Sequence, residues 1–510
     1  MTTSRRELLR GAAAVFGVGA ASSFLPTPAW ANGELIGRNI AGKSGPYKVL
    51  EIFFSGGLSH RESLWVEQPD EQPLVRQLAQ LDPQSMSVFT QNAPADWLDW
   101  LPEMGAFQET TSRVGFGSTG SIHLGPGCEP LVRPLDGGTR LIDRLRVIAT
   151  GHGLAPHQPA QRYMVQGGTN TTANSRTAGI GAAIARSTNL GSYVFYDSSK
   201  GSSSRVAEFS SKPGRHGGTF APTAIPFDDP TVVEHLLKAR YANRDAMRNH
   251  YSAAYESRLV FGMTGTPASS QVARARSFEA YEDALAAAQS SPNYVDALSY
   301  LTNSGGNTSW SNGTRRAIQA SCAMLSQGLS NYCCVCDGGQ DWPYDTHTTN
   351  SFLDHAGITT RHVLNVMRTL HEQVNEGTLD LSDTVVVLNT EFGRNFNEDG
   401  ETPGSNHSWK GFAVGVLGGP VTEGDGAVVG DLPFTSADDD FEVEYSNPAL
   451  AQGGLVSGQP ISSTDIRSAV LVAAGVHPFQ EDVYKTQEAN LPELTSPDDG
   501  ADQLAKLIFG

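Results

Sequence analysis

Short apolar runs of strand length recur along the chain, and they predict the strands of a sheet. The candidate strands cover residues 47–54, 144–150, 192–196, 331–337, 384–390 and 412–417. The run 384–390 has four consecutive apolar residues after its threonine, which is typical of a central strand that is covered on both faces. The pattern therefore predicts a sheet with helices packed against it.

Helical periodicity appears between these runs. Residues 315–329 favour a helix, and residues 359–375 carry apolar side chains at the i, i+3, i+4, i+7 spacing of a helix packed on a sheet. Ser463 or Thr464 is suited to cap a last helix that ends near residue 474. The order strand, helix, strand predicts an α/β fold whose parallel strands are joined by crossover helices.

Residues 230–289 differ from the rest of the chain because helical spacing replaces the strand-like runs. This change predicts a helical insertion over about residues 225–330, within one α/β domain that covers 32–510. No long apolar run follows residue 31, so we expect no stable membrane span after that point.

The N-terminus predicts export. Arg5 and Arg6 precede a short apolar stretch at 11–25, which is the arrangement of a twin-arginine (Tat) signal. Ala29 and Ala31 match a signal-peptidase site, so residues 1–31 are predicted to be removed and the protein to be periplasmic or secreted. The alternative is an uncleaved N-terminal anchor.

Charge and cysteine content narrow the function. The formal net charge of −18 argues against a protein that binds nucleic acid through its phosphates. Five cysteines are present, and three of them lie in the candidate strand 331–337. Alternation along a strand places Cys334 and Cys336 on one face and Cys333 on the other. We expect buried thiols rather than a zinc knuckle, because no second ligand pair has matching spacing.

Polar side chains follow several predicted strands, where ligands of parallel sheets bind. These side chains are Ser55, Ser59, His60, His152, His157, Asp345, His347, Glu391, Arg394 and, one loop later, His407. Carboxylates and imidazoles at one sheet edge could bind divalent ions, and paired ions can catalyse phosphoryl or sulfuryl transfer. Taken singly, each has a simpler interpretation as a loop histidine, a capped loop or a salt-bridged turn.

The order of several motifs favours a metal site over these simpler interpretations. They are Gly56-Gly57, His157-x6-Met164, Gly338-Gly339 followed by Asp345-Thr346-His347, Thr390-Glu391-Phe392-Gly393-Arg394, and Asn406-His407-x-Trp409. Over about residues 45–480 this order resembles the Tat-exported domain of unknown function family fifteen-oh-one, of the alkaline phosphatase and sulfatase superfamily. The resemblance implies a three-layer, alkaline-phosphatase-like α/β fold.

The resemblance also suggests a two-metal site built from Asp345, His347, Glu391 and His407. His157 is a further candidate ligand, and Zn, Ca, Mg and Mn are the candidate ions. The chain departs from the family pattern at three places. Ser59 stands where an aspartate is usual, Pro156 where a serine precedes the histidine, and Glu391-Phe392 where the superfamily places Asp-His.

Two functions are compatible with these candidate ligands and departures. One is a metal-dependent hydrolase of phosphate or sulfate esters that acts on a small anionic substrate, with Ser59 as candidate nucleophile and Arg394 as candidate anion-binding group. The other is a catalytically degenerate relative that keeps the fold for periplasmic binding or assembly. The retained Asp-Thr-His and Glu-Phe-Gly-Arg motifs favour the first, and the departures favour the second.

The export hypothesis makes a direct prediction. Replacing both Arg5 and Arg6 with lysine should trap the precursor in the cytoplasm, because the arginine pair is the address that the translocon recognises. Cell fractionation followed by N-terminal sequencing measures this, and the exported wild type should begin near Asn32. Unchanged export of the double lysine variant would contradict the Tat assignment.

Overall fold

The computed structural model describes a set of segments that carry the predicted strands and the candidate site. The described residues are 46–60, 62–65, 84, 86–90, 93, 95–101, 110–114, 121–166, 178–188, 190–212, 220–229, 292–302, 312–338, 344–347, 351–396, 404–430, 432, 461–476, 505 and 508–510. The candidate signal at 1–31 and most of the predicted helical insertion lie outside them.

Ten strands of the described residues form one twisted sheet. In chain order, all twelve strands are β1 (Lys48–Phe54), β2 (Thr110–Val114), β3 (Ser121–His123), β4 (Leu145–Thr150), β5 (Gly191–Tyr196), β6 (Thr223–Pro226), β7 (Ser330–Asp337), β8 (Thr384–Thr390), β9 (Gly393–Phe396), β10 (Ser405–Ser408), β11 (Phe412–Gly418) and β12 (Ala427–Val429). The sheet order is β3-β2-β12-β4-β11-β8-β1-β7-β5-β6, and β9 and β10 form a separate hairpin.

The strands at the centre of the sheet are buried on both faces. Strand β1 lies parallel between β7 and β8, with Glu51 opposite Cys334 on one side and Val387 on the other. Every residue of β8 is buried, as the apolar run after Thr384 predicts. The six predicted strands are all confirmed, and their ends differ by only a few residues.

The described helices are α1 (Ser87–Thr90), α2 (Ala95–Leu98), α3 (Glu129–Val132), α4 (His157–Gln166), α5 (Ile180–Thr188), α6 (Gly201–Ser210), α7 (Pro292–Thr302), α8 (Asn312–Ser326), α9 (Phe352–Asn375) and α10 (Ser463–Ala473). Short 3₁₀ turns cover Pro126–Cys128 and Leu141–Arg144. Helices α4, α5, α6 and α10 share one apolar core with one face of the sheet, and α7, α8 and α9 share a second core with the other. The predicted three-layer α/β architecture is therefore confirmed.

Helix ends follow local capping chemistry. Helix α9 begins earlier than predicted because the Ser351 side chain accepts a hydrogen bond from the Asp354 amide. Helix α10 begins after Ser462, whose side chain and that of Asp465 form a reciprocal capping box. The cap is therefore one residue before the predicted pair, Ser463 and Thr464.

Two strands of the sheet differ from the prediction of parallel strands, and the first is the edge strand β3, which runs antiparallel to β2. Strand β11 runs antiparallel to both of its neighbours, β4 and β8. The reason lies in the connection, because the β9–β10 hairpin returns the chain to the edge at which β8 ended. The residues just before β11 therefore lie at the carboxyl edge of the parallel strands, beside the residues that follow β8.

The predicted insertion at about 225–330 is only partly covered. Helices α7 and α8, which fall inside that range, pack in the helix layer of the second core. Residues 230–291 lie outside the described residues, so the boundaries of the insertion stay a prediction. Within the described part of the chain, no helix combines the length and apolar character needed to cross a bilayer.

The cysteine prediction is confirmed in its geometry. Cys334 and Cys336 face the first core and Cys333 faces the second. All five cysteines are buried free thiols. Burial raises the pKa of the Cys333 thiol to about 12, so this side chain stays protonated and unreactive near neutral pH.

A buried ion pair joins the sheet to α10. Arg467 Nη2 lies 2.6 Å from Glu51 Oε1, and both side chains are almost inaccessible to water. Tyr332 and Asn389 also donate hydrogen bonds to the Glu51 carboxylate, at 2.7 and 2.8 Å. Because every oxygen of Glu51 has a partner, removal of the arginine would leave an uncompensated charge in the core.

We therefore expect Arg467→Met to lower the free energy of unfolding by about 3–5 kcal/mol. The matched control is Lys48→Met, which removes the more exposed Lys48–Asp383 pair at 2.8 Å and should cost at most about 1 kcal/mol. Urea unfolding of both variants measures the difference. Equal losses in the two variants would show that the Glu51 pair does not stabilise the core.

Candidate functional site

The candidate residues lie at one edge of the sheet. His157 begins α4 after β4, and Asp345 and His347 follow β7. Glu391 follows β8 directly, and His407 lies on β10 shortly before β11. This is the edge at which ligands of parallel strands bind, and the antiparallel direction of β11 brings His407 to it.

Four of these side chains form a cluster. The ligand atoms of His157, Asp345, His347 and His407 all lie within 4.8 Å of one another. His157 Nε2 is 3.2 Å from Asp345 Oδ2, and His347 Nε2 is 3.4 Å from Asp345 Oδ1. The Nε2 atoms of His347 and His407 are 2.7 Å apart. Three imidazoles and one carboxylate thus converge on one point. The set contains three of the four ligands that the resemblance suggests, with the further candidate His157 in the place of Glu391.

Glu391 lies behind this cluster rather than in it. Its Oε1 accepts hydrogen bonds from the Gly56 amide at 2.8 Å, from His157 Nδ1 at 3.0 Å and from Gln161 Nε2 at 3.1 Å. The carboxylate is fully buried, and its Oε2 has no hydrogen-bond partner among the described residues. Glu391 therefore orients His157, and it holds a buried, unpartnered oxygen close to the cluster.

Arg394 is buried beneath Asp345 and does not face solvent. Its Nη2 lies 2.7 Å from Asp345 Oδ1, and both Nε and Nη2 donate to the Gly56 carbonyl. Its Nη1 donates to Ser405 Oγ at 3.4 Å. Every guanidinium nitrogen thus has a protein acceptor. This geometry favours a role in positioning Asp345 over the predicted contact with a substrate anion.

Ser59 is also buried, and none of its described hydrogen bonds is to a side chain of the cluster. The hydroxyl donates to Glu62 Oε2 in a short contact and lies 3.4 Å from the carbonyl oxygen of Arg394. The side chain is 1% exposed. The structure therefore gives the Ser59 hydroxyl a carboxylate partner and buries it among the described residues.

Backbone and aromatic contacts hold the histidines in place. His407 Nδ1 lies 2.5 Å from the Ala155 carbonyl, which leaves Nε2 facing the cluster. Phe392 stacks on the His407 ring with 4.1 Å between centroids. Such partners fix the ring orientation and tautomer of a metal-binding imidazole.

The sequence interpretation did not assign roles to Gln161, Phe392 or the Ala155 carbonyl. Gln161 was detectable, since it lies four residues after His157 and therefore on the same face of α4. His152 was a candidate, but it lies outside the four-residue cluster. Its Nε2 contacts the Glu391 backbone carbonyl at 2.6 Å, and burial lowers its pKa to about 4, so it is a neutral positioning group.

Charges in the site set the protonation of its members. Burial, the Arg394 cation and His157 lower the pKa of His407 to about 3. Burial and Arg394 also lower the pKa of His347. Burial opposes ionisation of Asp345, but hydrogen bonding to His157 and the charge of Arg394 more than offset it and lower the pKa of that carboxyl.

His157 differs from the other two histidines. Burial alone would lower its pKa, but hydrogen bonds to Asp345 and Glu391 outweigh burial and raise it. At neutral pH, His347 and His407 are therefore neutral and have lone pairs available, while Asp345 is ionised. An ionised carboxylate and neutral imidazoles are the states that a metal ion requires of its ligands, whereas the raised pKa of His157 favours its protonated form, whose proton a bound metal ion would have to displace.

Together the fold and site define a three-layer α/β protein with a histidine-rich candidate metal centre at its sheet edge. A family model matches residues 47–452, and its description is "protein of unknown function (DUF1501)". The chain belongs to this family, which confirms the resemblance at the family level. No curated protein and no solved structure matches the chain.

Proposed function

We infer that this protein binds a divalent metal ion of the zinc class and uses it to hydrolyse phosphate or sulfate esters. The observation that carries the proposal is the convergence of His157, Asp345, His347 and His407, whose ligand atoms lie within 4.8 Å of one another. These residues come from three segments that are far apart in sequence. No described core requirement explains three imidazoles and a carboxylate at one point of the surface.

The donors fit a borderline-soft cation better than a hard one. Imidazole nitrogens suit zinc, copper, iron and nickel, whereas calcium and magnesium prefer oxygen ligands. Asp345 is the one carboxylate in the cluster, and Arg394 already neutralises part of its charge at 2.7 Å. Of the candidate ions Zn, Ca, Mg and Mn, this set favours zinc.

The surroundings also fit a bound cation. Glu391 Oε2 is buried without a partner among the described residues, and a carboxylate oxygen left unpaired in the interior is costly. Its Oε1 accepts a hydrogen bond from His157 Nδ1, and carboxylates commonly hold zinc-bound histidines in this way. A cation held by the four-residue cluster would polarise an ester oxygen and activate a water molecule as the nucleophile.

The remaining steps fall to residues of the chain. Glu391 holds His157 through Nδ1, and the Ala155 carbonyl holds His407 through Nδ1, so that both Nε2 atoms face the cluster. Arg394 fixes Asp345 from beneath. Water as nucleophile is supported by the contacts of Ser59, whose hydroxyl bonds Glu62 and not a cluster residue.

A binding or assembly role is the second candidate, and two observations favour it. Pro156 stands directly before α4, where the family pattern implies a serine. Each guanidinium nitrogen of Arg394 already has a protein acceptor. A protein that binds a metal at this site without hydrolysing esters would fit these features. Turnover measurements separate the two candidates.

Export through the Tat pathway is part of the same proposal, as is membership of the alkaline phosphatase and sulfatase superfamily. Tat substrates cross the membrane already folded. Five buried free thiols support such an order, because thiols that are enclosed while the cytoplasm keeps them reduced are protected from oxidation in the periplasm. The superfamily is supported by the three-layer fold and by the placement of the candidate ligands at the carboxyl edge of the parallel strands. The proposed location is the periplasm or the extracellular medium.

The metal proposal predicts stoichiometric zinc binding. The purified protein should bind zinc tightly, and His347→Ala should weaken that binding by about 100-fold or more, since even second-shell changes cost 10–100-fold. Competition with a chromogenic chelator measures the affinity, and elemental analysis measures the metal content. His123→Ala, on strand β3 outside the cluster, is the control and should bind zinc like the wild type. Equal affinity in all three proteins would refute the proposed centre.

The hydrolase proposal predicts slow turnover of aryl phosphates or aryl sulfates that disappears with a chelator and in His347→Ala. Ser59→Ala should keep this activity, because water rather than the buried Ser59 hydroxyl is the proposed nucleophile. Release of the aryl alcohol is followed spectroscopically at matched folding. Loss of activity in Ser59→Ala would instead assign a covalent role to Ser59. Zinc binding without turnover of either ester class would favour the binding protein.

A further inference from the structure

Thr346 separates two candidate ligands but faces the opposite way. The side chains of Asp345 and His347 are 37% and 43% exposed, whereas Thr346 is 3% exposed. Its hydroxyl lies 2.7 Å from His355 Nδ1 and 2.7 Å from Ser405 Oγ. One hydroxyl therefore ties the loop that carries Asp345 and His347 to helix α9 and to strand β10.

These contacts continue through the protein interior. On the α9 side, His355 Nε2 lies 3.4 Å from Glu62 Oε2, which also accepts the Ser59 hydroxyl. On the β10 side, Ser405 Oγ accepts a hydrogen bond from Arg394 Nη1 at 3.4 Å. The polar chain thus runs from the loop after β1 to the arginine that holds Asp345.

The backbone around Thr346 leaves little room for movement. The Ser405 amide donates to the Thr346 carbonyl at 3.2 Å. A Cβ placed on Gly404, whose φ is +95°, would lie 1.9 Å from the His347 carbonyl oxygen. A Cβ placed on Gly56, whose φ is +120°, would lie 2.7 Å from the Asp345 amide. Two glycines therefore allow neighbouring chain segments to approach the Asp-Thr-His loop closely.

Ser59, Glu62 and His355 contain the residue types of a hydrolytic triad, but their order argues against that role. The carboxylate lies between the serine and the histidine, whereas in a triad the histidine lies between the serine and the carboxylate. All three side chains are buried, at 1–2% exposure or less. The chain of contacts is therefore suited to holding structure and not to attacking a substrate.

We propose that the Thr346 hydroxyl, with His355 and Ser405, positions the candidate ligands and sets the distances among Asp345, His347 and His407. This inference rests on the proposed metal centre. The physical reason is that Thr346 adjoins two ligands, and Ser405 precedes the third, His407, by two residues on β10. A single pair of hydrogen bonds thus fixes the loop and the hairpin relative to each other.

The test uses Thr346→Val, which keeps the shape of the side chain but removes its hydroxyl, and Ser405→Ala as a second break in the chain. Each should weaken zinc binding by about 10-fold or more, which is the usual loss when a group that holds the metal ligands in place is removed. Each should also change the visible absorption of the cobalt(II)-substituted protein, which reports ligand geometry. Thr346→Ser keeps the hydroxyl and should restore both the affinity and the spectrum.

Thr369→Val is the matched control, because it removes another buried threonine hydroxyl, bonded at 2.7 Å to the Asn365 carbonyl within α9. It should alter thermal stability without altering zinc affinity or the cobalt spectrum. If Thr346→Val does not fold, the Ser405→Ala variant decides the question by the same two measurements.

His347→Ala distinguishes the two levels of failure. Wild-type affinity in His347→Ala would refute the metal centre itself. Loss of binding in His347→Ala, together with wild-type affinity and cobalt spectrum in Thr346→Val and Ser405→Ala, would leave the centre intact and overturn the positioning role. Loss of binding in His347→Ala with weaker binding and a changed spectrum in the hydroxyl variants would support both.

Discussion

The site depends on the hydrogen bonds that the buried carboxylate of Glu391 accepts. One of its oxygens accepts hydrogen bonds from the loop after β1 and from two residues of α4, so it joins three parts of the chain at the end of β8. At 0% exposure this carboxylate depends on its protein donors, and all three of them bind Oε1, while Oε2 has no partner among the described residues. These hydrogen bonds therefore fix α4 relative to the sheet, and they fix the place of His157 in the cluster.

Arg394 balances the charges around this point. The guanidinium sits beneath Asp345 and keeps that carboxyl ionised, while it lowers the pKa values of His347 and His407. The fixed positive charge of Arg394 thus favours the neutral forms of His347 and His407 and the ionised form of Asp345. The four-residue cluster could hold a metal ion, although the positive charge of Arg394 is already buried beside it.

The hairpin between β8 and β11 explains how distant residues meet. It reverses the chain so that β11 runs antiparallel between β8 and β4, which places His407 at the same edge as the ends of the parallel strands. A parallel β11 would have needed a crossover to the opposite edge before it began. The antiparallel pairing of β11 is therefore what completes the four-residue cluster.

The sequence by itself determined the strands and the layers. Apolar runs such as 384–390 need burial on both faces, and alternation along 331–337 assigned Cys333 and Cys334 to opposite cores, so local pattern was sufficient. The motifs also brought forward Asp345, His347 and His407, because polar residues after strands meet at one sheet edge.

Only the tertiary structure decided how these side chains are used. Glu391 lies behind His157 instead of inside the cluster, and Arg394 is buried beneath Asp345. The Ser59 hydroxyl donates a hydrogen bond to Glu62. In loops the direction of a side chain follows no fixed period, and its partners come from segments hundreds of residues away. Local pattern therefore names the residues at the edge, while three-dimensional packing sets their hydrogen bonds and their protonation.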